Sequence, residues 1–424
     1  VASKLALTIA IRYGTERRQF TAATDDEVVL MDYQRHQRRL LPRLAQTYAM
    51  SFAHEVFLEK FDAVFSGADD TDASRQDLET LAAALKPLST WAALDIIQEA
   101  REACGGQGFL AENRLVQMRA DLDVYATFEG DNNVLLQLVA KRLLTDYSRK
   151  FAKADAGALA GYVVDQVGDR AFNKSGLRRL AQSVADFGST ARSVGYVRDT
   201  ASQRQLLTDR VETMVAETAG RLRHAPRDQA KAAAAFNAEQ HELIEAGRAW
   251  VELQQYDALD AAVERMPEAT KKVMTHVRDL FALTIIEEHA AWHLENGRLS
   301  GARSKAVTST IERLLQKLRP HALDLVSAFG LSDAHLRAKI ATGAEGERQA
   351  EAIAHHEALR ASGAMPVPEK QAREAAGEER LAGAGAAPLP PEEVVAIDHE
   401  LGDERDADAV EAADAEAATE VAAR

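Results

Sequence analysis

The feature that most constrains this chain is a helical spacing carried through a long unbroken segment. From residue 30, Leu30, Tyr33, Gln37, Leu40, Leu44, Thr47 and Tyr48 recur at three- and four-residue steps, which place them on one face of an α-helix. No glycine interrupts residues 30–65, and Pro42 bends a helix without ending it. Alternating β-branched runs of strand length are nearly absent elsewhere, while Ala, Leu, Glu, Gln and Arg dominate. The chain therefore reads as all-α.

The same reading orders the remaining elements. Residues 1–17 form an apolar-periodic helix, a better reading of VASKLALTIAIR than an export signal. A loop over 19–29, with Thr24, Asp25 and Asp26, precedes the long helix. A second loop over 66–78 offers Asp72 or Ser74 as the cap of a helix over 75–103, with a kink expected at Pro87. Gly105, Gly106 and Gly108 stop it. An irregular stretch over 109–127 leads to a helix over 131–150. The ADAGALAG segment marks a domain boundary near 155. Residues 156–361 form a second helical block of five or six helices, with Leu177, Leu180, Phe187, Leu243, Trp250, Phe281 and Trp292 among its anchors. Trp91 also reads as a packing anchor. From 362 to 424, Pro, Gly, Ala and acidic residues replace large hydrophobes, as in a disordered tail.

Charge and cysteine content narrow the function classes. Residues 391–424 hold 12 acidic and 2 basic side chains, a net of −10 out of the chain's −15. The acidity belongs to the tail, and the basic footprint of a duplex nucleic-acid binder is missing. No apolar run is long enough for a membrane-spanning helix. Cys104 is the one cysteine, so no intrachain disulfide forms, and a reducing, cytoplasmic setting is expected.

Three short segments can carry chemistry. In TFEGDNN, Glu129 is either a solvated acid before a helix capped by Asp131 or Asn132, or a general base. A base acting on a weakly acidic C–H needs partial desolvation, for which Phe128, Tyr125 and Leu135 can supply a wall. Gly130 then lets a substrate approach the backbone. In CGGQGF, the glycines either stop a helix or admit a large ligand, and no histidine lies nearby in sequence to activate Cys104. In RYGTERRQF, the arginines either favour a helix C-terminus or hold a pyrophosphate through forked hydrogen bonds. His289 and His293 stand four apart, without the zinc-peptidase pattern, and read as packed or surface histidines. His36 and His54 read as structural, and no metal site is expected.

GTERRQF, the glutamine-bearing long helix, CGGQGF and TFEGDNNVL, together and in this order, resemble the acyl-CoA dehydrogenase and oxidase flavoprotein superfamily. The second helical block gives the closer resemblance to the acyl-CoA oxidases. The likeness covers roughly residues 1–360. It implies a C-terminal four-helix domain over 1–155, an oxidase-type helical domain over 156–361, and FAD as cofactor. It implies that Glu129 takes the proton alpha to a fatty acyl-CoA thioester, beside Phe128 and Gly130. The flavin takes the beta hydrogen, a trans-2-enoyl-CoA forms, and O2 reoxidises the flavin to give H2O2. Arg17, Phe20, Gln34, Gln37, Gly105, Gly106, Asp131 and Asn133 match flavin-contacting positions, some serving a neighbouring subunit. A dehydrogenase passing electrons to a carrier protein, and an inactive helical scaffold, remain open. The resemblance also implies an N-terminal helical domain and a β-barrel that are absent here. We therefore expect a homodimer, or pairing with the missing half, and weak FAD binding by the isolated chain.

Overall fold

The computed structural model describes residues 1–21, 27–153, 190–223, 226 and 228–364. The expected boundary near 155, the anchors Leu177, Leu180 and Phe187, and nearly all of the acidic tail lie outside these residues.

Helix α1 (Ala2–Glu16) buries Leu7, Ile9, Ile11 and Tyr13, as its apolar periodicity predicts. The loop expected over 19–29 is instead a short antiparallel hairpin, β1 (Arg18–Thr21) with β2 (Glu27–Val29). Arg18 pairs with Val29 and Thr21 with Glu27, and the register is irregular between them. Such short strands carry too few residues to show an alternating pattern.

Helix α2 (Gln34–Phe65) and helix α3 (Asp72–Ala103) each run 32 residues, about 48 Å at 1.5 Å per residue. Both continue through their prolines, Pro42 and Pro87. The cap of α3 is Thr71, whose hydroxyl accepts from the Ser74 N–H at 3.1 Å, rather than Asp72 or Ser74. The two helices are antiparallel. Arg43 meets Asp95 at 2.8 Å and Arg39 meets Glu99, so residue numbers rise on one as they fall on the other. The stretch expected to be irregular contains helix α4 (Leu115–Asp123), which buries Leu115 and Met118. Helix α5 (Asn132–Lys153) follows.

The described second block holds α6 (Thr190–Arg198), α7 (Thr200–Leu222), α8 (Gln229–Ala238), α9 (Gln240–Glu264), α10 (Glu268–Glu288), α11 (Ala290–Glu295), α12 (Gly301–Leu318), α13 (Ala322–Ser327), α14 (Asp333–Leu336) and α15 (Ala344–Ala361). Residues 1–349 form one unit, and the described helices on either side of residue 155 share its core. Leu40, Leu44, Ile96 and Ile97 join one apolar cluster with Leu253, Leu280, Leu283 and Leu315. A smaller cluster joins Leu81, Leu85 and Leu136 to Val251. Polar bonds cross the same seam. The Tyr48 hydroxyl donates to the Leu325 carbonyl at 2.6 Å, and Arg38 pairs with Glu287 and with Glu312, the latter at 2.8 Å.

Candidate active site and cofactor cradle

Glu129 lies between a 3-10 turn (Val124–Ala126) and the start of α5. Its φ is 55° and that of Gly130 is 101°, two consecutive left-handed residues. A side chain beyond glycine rarely sits there, and such strain is concentrated at functional positions. Asp131 caps α5, its Oδ1 accepting from the Asn133 N–H at 2.9 Å. The carboxylate of Glu129 is exposed, as are Tyr125 and Phe128, whose rings meet edge-on at 6.4 Å. Leu135 flanks Gly130, within 3.2 Å of where a Cβ would stand. Tyr125 and Phe128, expected to wall Glu129, are themselves exposed, so this chain alone leaves the carboxylate open to solvent.

Two residues hold this turn: Lys86, which the motif reading missed, and Asn132, which it offered only as a helix cap. Lys86 donates to the Gly130 carbonyl at 2.6 Å and to Asn132 Oδ1 at 2.8 Å. Asn132, 1% exposed, donates onward to Thr90 Oγ1 at 3.0 Å. A signal for Lys86 was available: it is the lone basic residue between Arg75 and Arg101.

The second group of expected residues sits elsewhere. Arg17 ends α1, and Phe20, 67% exposed with φ 62°, stands at the irregular point of the hairpin. A Cβ on Gly14 would come within 3.0 Å of His36, which joins the end of α1 to the start of α2. Tyr13 and Cys104 are buried in the same apolar cluster. The ends of α1 and α3 and the start of α2 therefore converge, bringing Arg17, Phe20, Gln34, Gln37, Gly105 and Gly106 to one end of the bundle. Seventeen residues of α3 separate Lys86 from Ala103, about 25 Å. Glu129, Phe128, Gly130, Asp131 and Asn133 thus form a separate group, far along α3 from the first.

The geometry fits a large anionic cofactor at that end in part. Cβ atoms built on Gly105 and Gly106 meet nothing within 4 Å, so both backbones are open to a ligand. Gly108 is different. Its Cβ would fall 1.9 Å from the Arg101 carbonyl oxygen, so it serves helix packing. Arg17 is half-buried and reaches Glu345 at 3.5 Å. Burial works against the Glu345 charge, yet hydrogen bonds from Arg348 and Gln349 and the charges of Arg348 and Arg17 hold its carboxyl below the usual range. Gln34 is exposed and donates to Glu312 at 2.5 Å. Gln37 turns inward, and its Oε1 is buried without a hydrogen-bond partner among the described residues. It is 4% exposed, with its amide donated to the Met31 carbonyl. Arg12 is likewise occupied, by Asp333 Oδ1 at 2.9 Å and the Ala341 carbonyl at 3.0 Å. The Cys104 thiol is buried and pushed up to about 12 by that burial, which leaves it unreactive.

His293 is fully buried and its pKa is lowered to about 3, by burial first and then by Arg210, His289 and Arg298. His289 lies 3.9 Å from Glu252. Among the described residues no cluster has the makings of a metal site.

The family model of the acyl-CoA oxidase C-alpha1 domain matches residues 1–144, and the acyl-CoA oxidase model matches residues 199–343. A putative peroxisomal acyl-coenzyme A oxidase 3.2 of Arabidopsis thaliana is 35% identical over 351 residues, covering 79% of this chain and 46% of that protein. The chain belongs to the acyl-CoA oxidase family. Among solved acyl-CoA oxidases, the Arabidopsis thaliana acyl-CoA oxidase 1 is 25% identical with a TM-score of 0.68, covering 84% of this chain and 52% of that one. The acyl-CoA oxidase-1 of Caenorhabditis elegans, complexed with FAD and ATP, is 23% identical and shares the fold at a TM-score of 0.65, covering 80% of this chain and 49% of that one. The chain thus spans about half the length of the acyl-CoA oxidases it matches. The all-α reading stands. The cytoplasmic setting does not: acyl-CoA oxidases of Arabidopsis and human similar to this chain are named peroxisomal. A lone buried cysteine excludes an intrachain disulfide but does not tell one reducing compartment from another.

Proposed function

We propose that this chain supplies the proton-accepting carboxylate and the phosphate end of the flavin cradle of an acyl-CoA oxidase. The reaction is the alpha,beta-dehydrogenation of a fatty acyl-CoA to trans-2-enoyl-CoA in fatty acid beta-oxidation, with electrons passed to O2 as H2O2. The observation that carries the reading is the left-handed Glu129–Gly130 turn. It presents an exposed carboxylate beside exposed aromatic rings, at the helix start where the family motif places a base.

Glu129 takes the proton from the carbon alpha to the thioester. Its backbone N–H stands to donate to the thioester carbonyl, which lowers the cost of enolate charge. Phe128 and Tyr125 line the acyl chain, and Gly130 allows close approach. Bound FAD supplies the acceptor of the beta hydrogen as hydride. Arg17, Phe20, Gly105 and Gly106 would hold its diphosphate end, and Asp131 and Asn133 its approach to Glu129.

The two groups lie too far apart along α3 for one compact site on one chain. We place the cofactor between two copies, one giving Glu129 and the other Arg17, Gly105 and Gly106, with the remaining half of the enzyme closing the wall over Glu129.

The test is Glu129→Gln in the flavoenzyme completed with that remaining half. Flavin absorbance is expected to be retained. Exchange of the substrate alpha proton and peroxide formation are expected to fall roughly 10²–10⁴-fold. Unchanged exchange would remove Glu129 from the chemistry. Reduction of a carrier protein without peroxide would move the enzyme to the dehydrogenase reaction.

A further inference from the structure

The left-handed turn at Glu129 and Gly130 is tied to the body of the bundle by very few groups. On one side the Phe128 N–H donates to the Val124 carbonyl at 2.8 Å, a bond local to the turn. On the other, Asp131 caps its own helix. Neither bond reaches another element. The bonds that do reach one run to α3. Lys86 Nζ sits between the Gly130 carbonyl at 2.6 Å and Asn132 Oδ1 at 2.8 Å. The Asn132 amide, on the same side chain, donates to Thr90 Oγ1 at 3.0 Å and towards the Pro87 carbonyl at 3.5 Å.

We propose that Lys86 is the positioning residue of the Glu129 turn, its ammonium group bridging the Gly130 carbonyl and the Asn132 side chain so that the turn is fixed against α3. Two features suit it to this task. An ammonium carries several donors and no acceptor, so both oxygens are bound without competition. A charged donor makes the stronger kind of hydrogen bond. Burial draws the pKa of the amine down, and the nearby charges of Asp131 and Glu129 offset part of that pull. The Gly130 carbonyl belongs to the Gly130–Asp131 peptide, the second after Glu129, and holding it fixes the chain on the C-terminal side of Glu129. Losing its anchor frees the torsions that aim the carboxylate. A displacement of about 1 Å at a reacting group can cost on the order of 10²-fold in rate.

This inference rests on Glu129 being the proton acceptor, and the experiment separates the two. In the 424-residue chain, Lys86→Met and Lys86→Arg are compared with the unaltered protein by hydrogen–deuterium exchange of the peptide over 124–135. Lys86→Met is expected to speed exchange there at least tenfold, with α1 and α9 unchanged and the melting temperature within a few degrees. Lys86→Arg is expected to recover most of the protection. In the completed flavoenzyme, Lys86→Met is expected to lower kcat about 30-fold, with KM within about twofold. Exchange that does not respond to Lys86→Met overturns the proposal. So does faster exchange throughout the chain, which would mark a general structural role, or a kcat unchanged despite a loosened turn. If Glu129→Gln stays active while Lys86→Met loosens the turn, the reading of Glu129 fails and the clamp stands. If Glu129→Gln is dead and the turn ignores Lys86→Met, the clamp alone fails.

Discussion

Glu129 sits at a φ of 55°, where an L side chain costs about 1–2 kcal/mol. Phe20, the aromatic at the other end of the bundle, sits at 62°. Both positions were singled out from sequence for chemistry, and both prove strained. The glycines near Cys104 divide by what surrounds them. Gly108→Ala is expected to lower stability by about 1–3 kcal/mol, because its methyl meets the Arg101 carbonyl. Gly106→Ala, in open space, is expected to leave the melting temperature nearly unchanged while weakening flavin binding. Urea unfolding and flavin titration separate the two effects. Buried His293 and His36 contribute to acid sensitivity. Their pKa values are lowered to about 3 and about 4, chiefly by burial. Both lie below the ordinary 6.5, so the unfolded chain binds protons that the fold refuses. Their contribution is complete above pH 6.5 and is lost as pH falls towards 4 and 3, each by about 1.4 kcal/mol per pH unit. His293→Gln should therefore shrink the difference between urea midpoints at pH 7.5 and pH 5. An unchanged difference would assign the acid sensitivity elsewhere.

At the scale of elements, the start of α4 shows how the motif region is braced by the second block. Arg114, at φ 66°, donates to the His335 and Leu336 carbonyls at 2.8 and 2.6 Å. Arg114→Asn keeps a residue that tolerates left-handed backbone and removes the guanidinium. It is expected to cost about 1–2 kcal/mol in urea unfolding. The sequence was most legible in long periodic elements. The face of α2 defined by Leu40, Leu44 and Tyr48 is buried as its spacing predicts. Short elements escaped it: the hairpin of Arg18–Thr21 with Glu27–Val29, and the nine residues of α4, are too brief for periodicity to stand out. The cap at Thr71 was misplaced because several Ser, Thr and Asp residues crowd residues 66–78 and only geometry chooses among them. For the site, motifs located Glu129 and the open glycines. Gln37 already stood on the periodic face of α2 that the fold buries. The motifs could not reveal that Lys86, 43 residues before Glu129, reaches its turn, because that depends on which helices pair.

At the scale of the molecule, α3 is a ruler between two partial sites. Lys86 and the Glu129 turn stand about 25 Å from Ala103 and the open glycines. One chain therefore presents the proposed base at one place and the proposed phosphate cradle at another, and our account joins them across two copies. Mixing two inactive variants tests this most directly. Glu129→Gln removes the base. Gly106→Asp sets a carboxylate in the open space where the diphosphate would lie. In the completed flavoenzyme each variant alone should be inactive. Random pairing of the two gives mixed dimers in which one site carries both changes and the other neither. The account predicts recovery of about one quarter of the unaltered peroxide-forming activity on mixing. No recovery, with mixed dimers demonstrably formed, would contradict it.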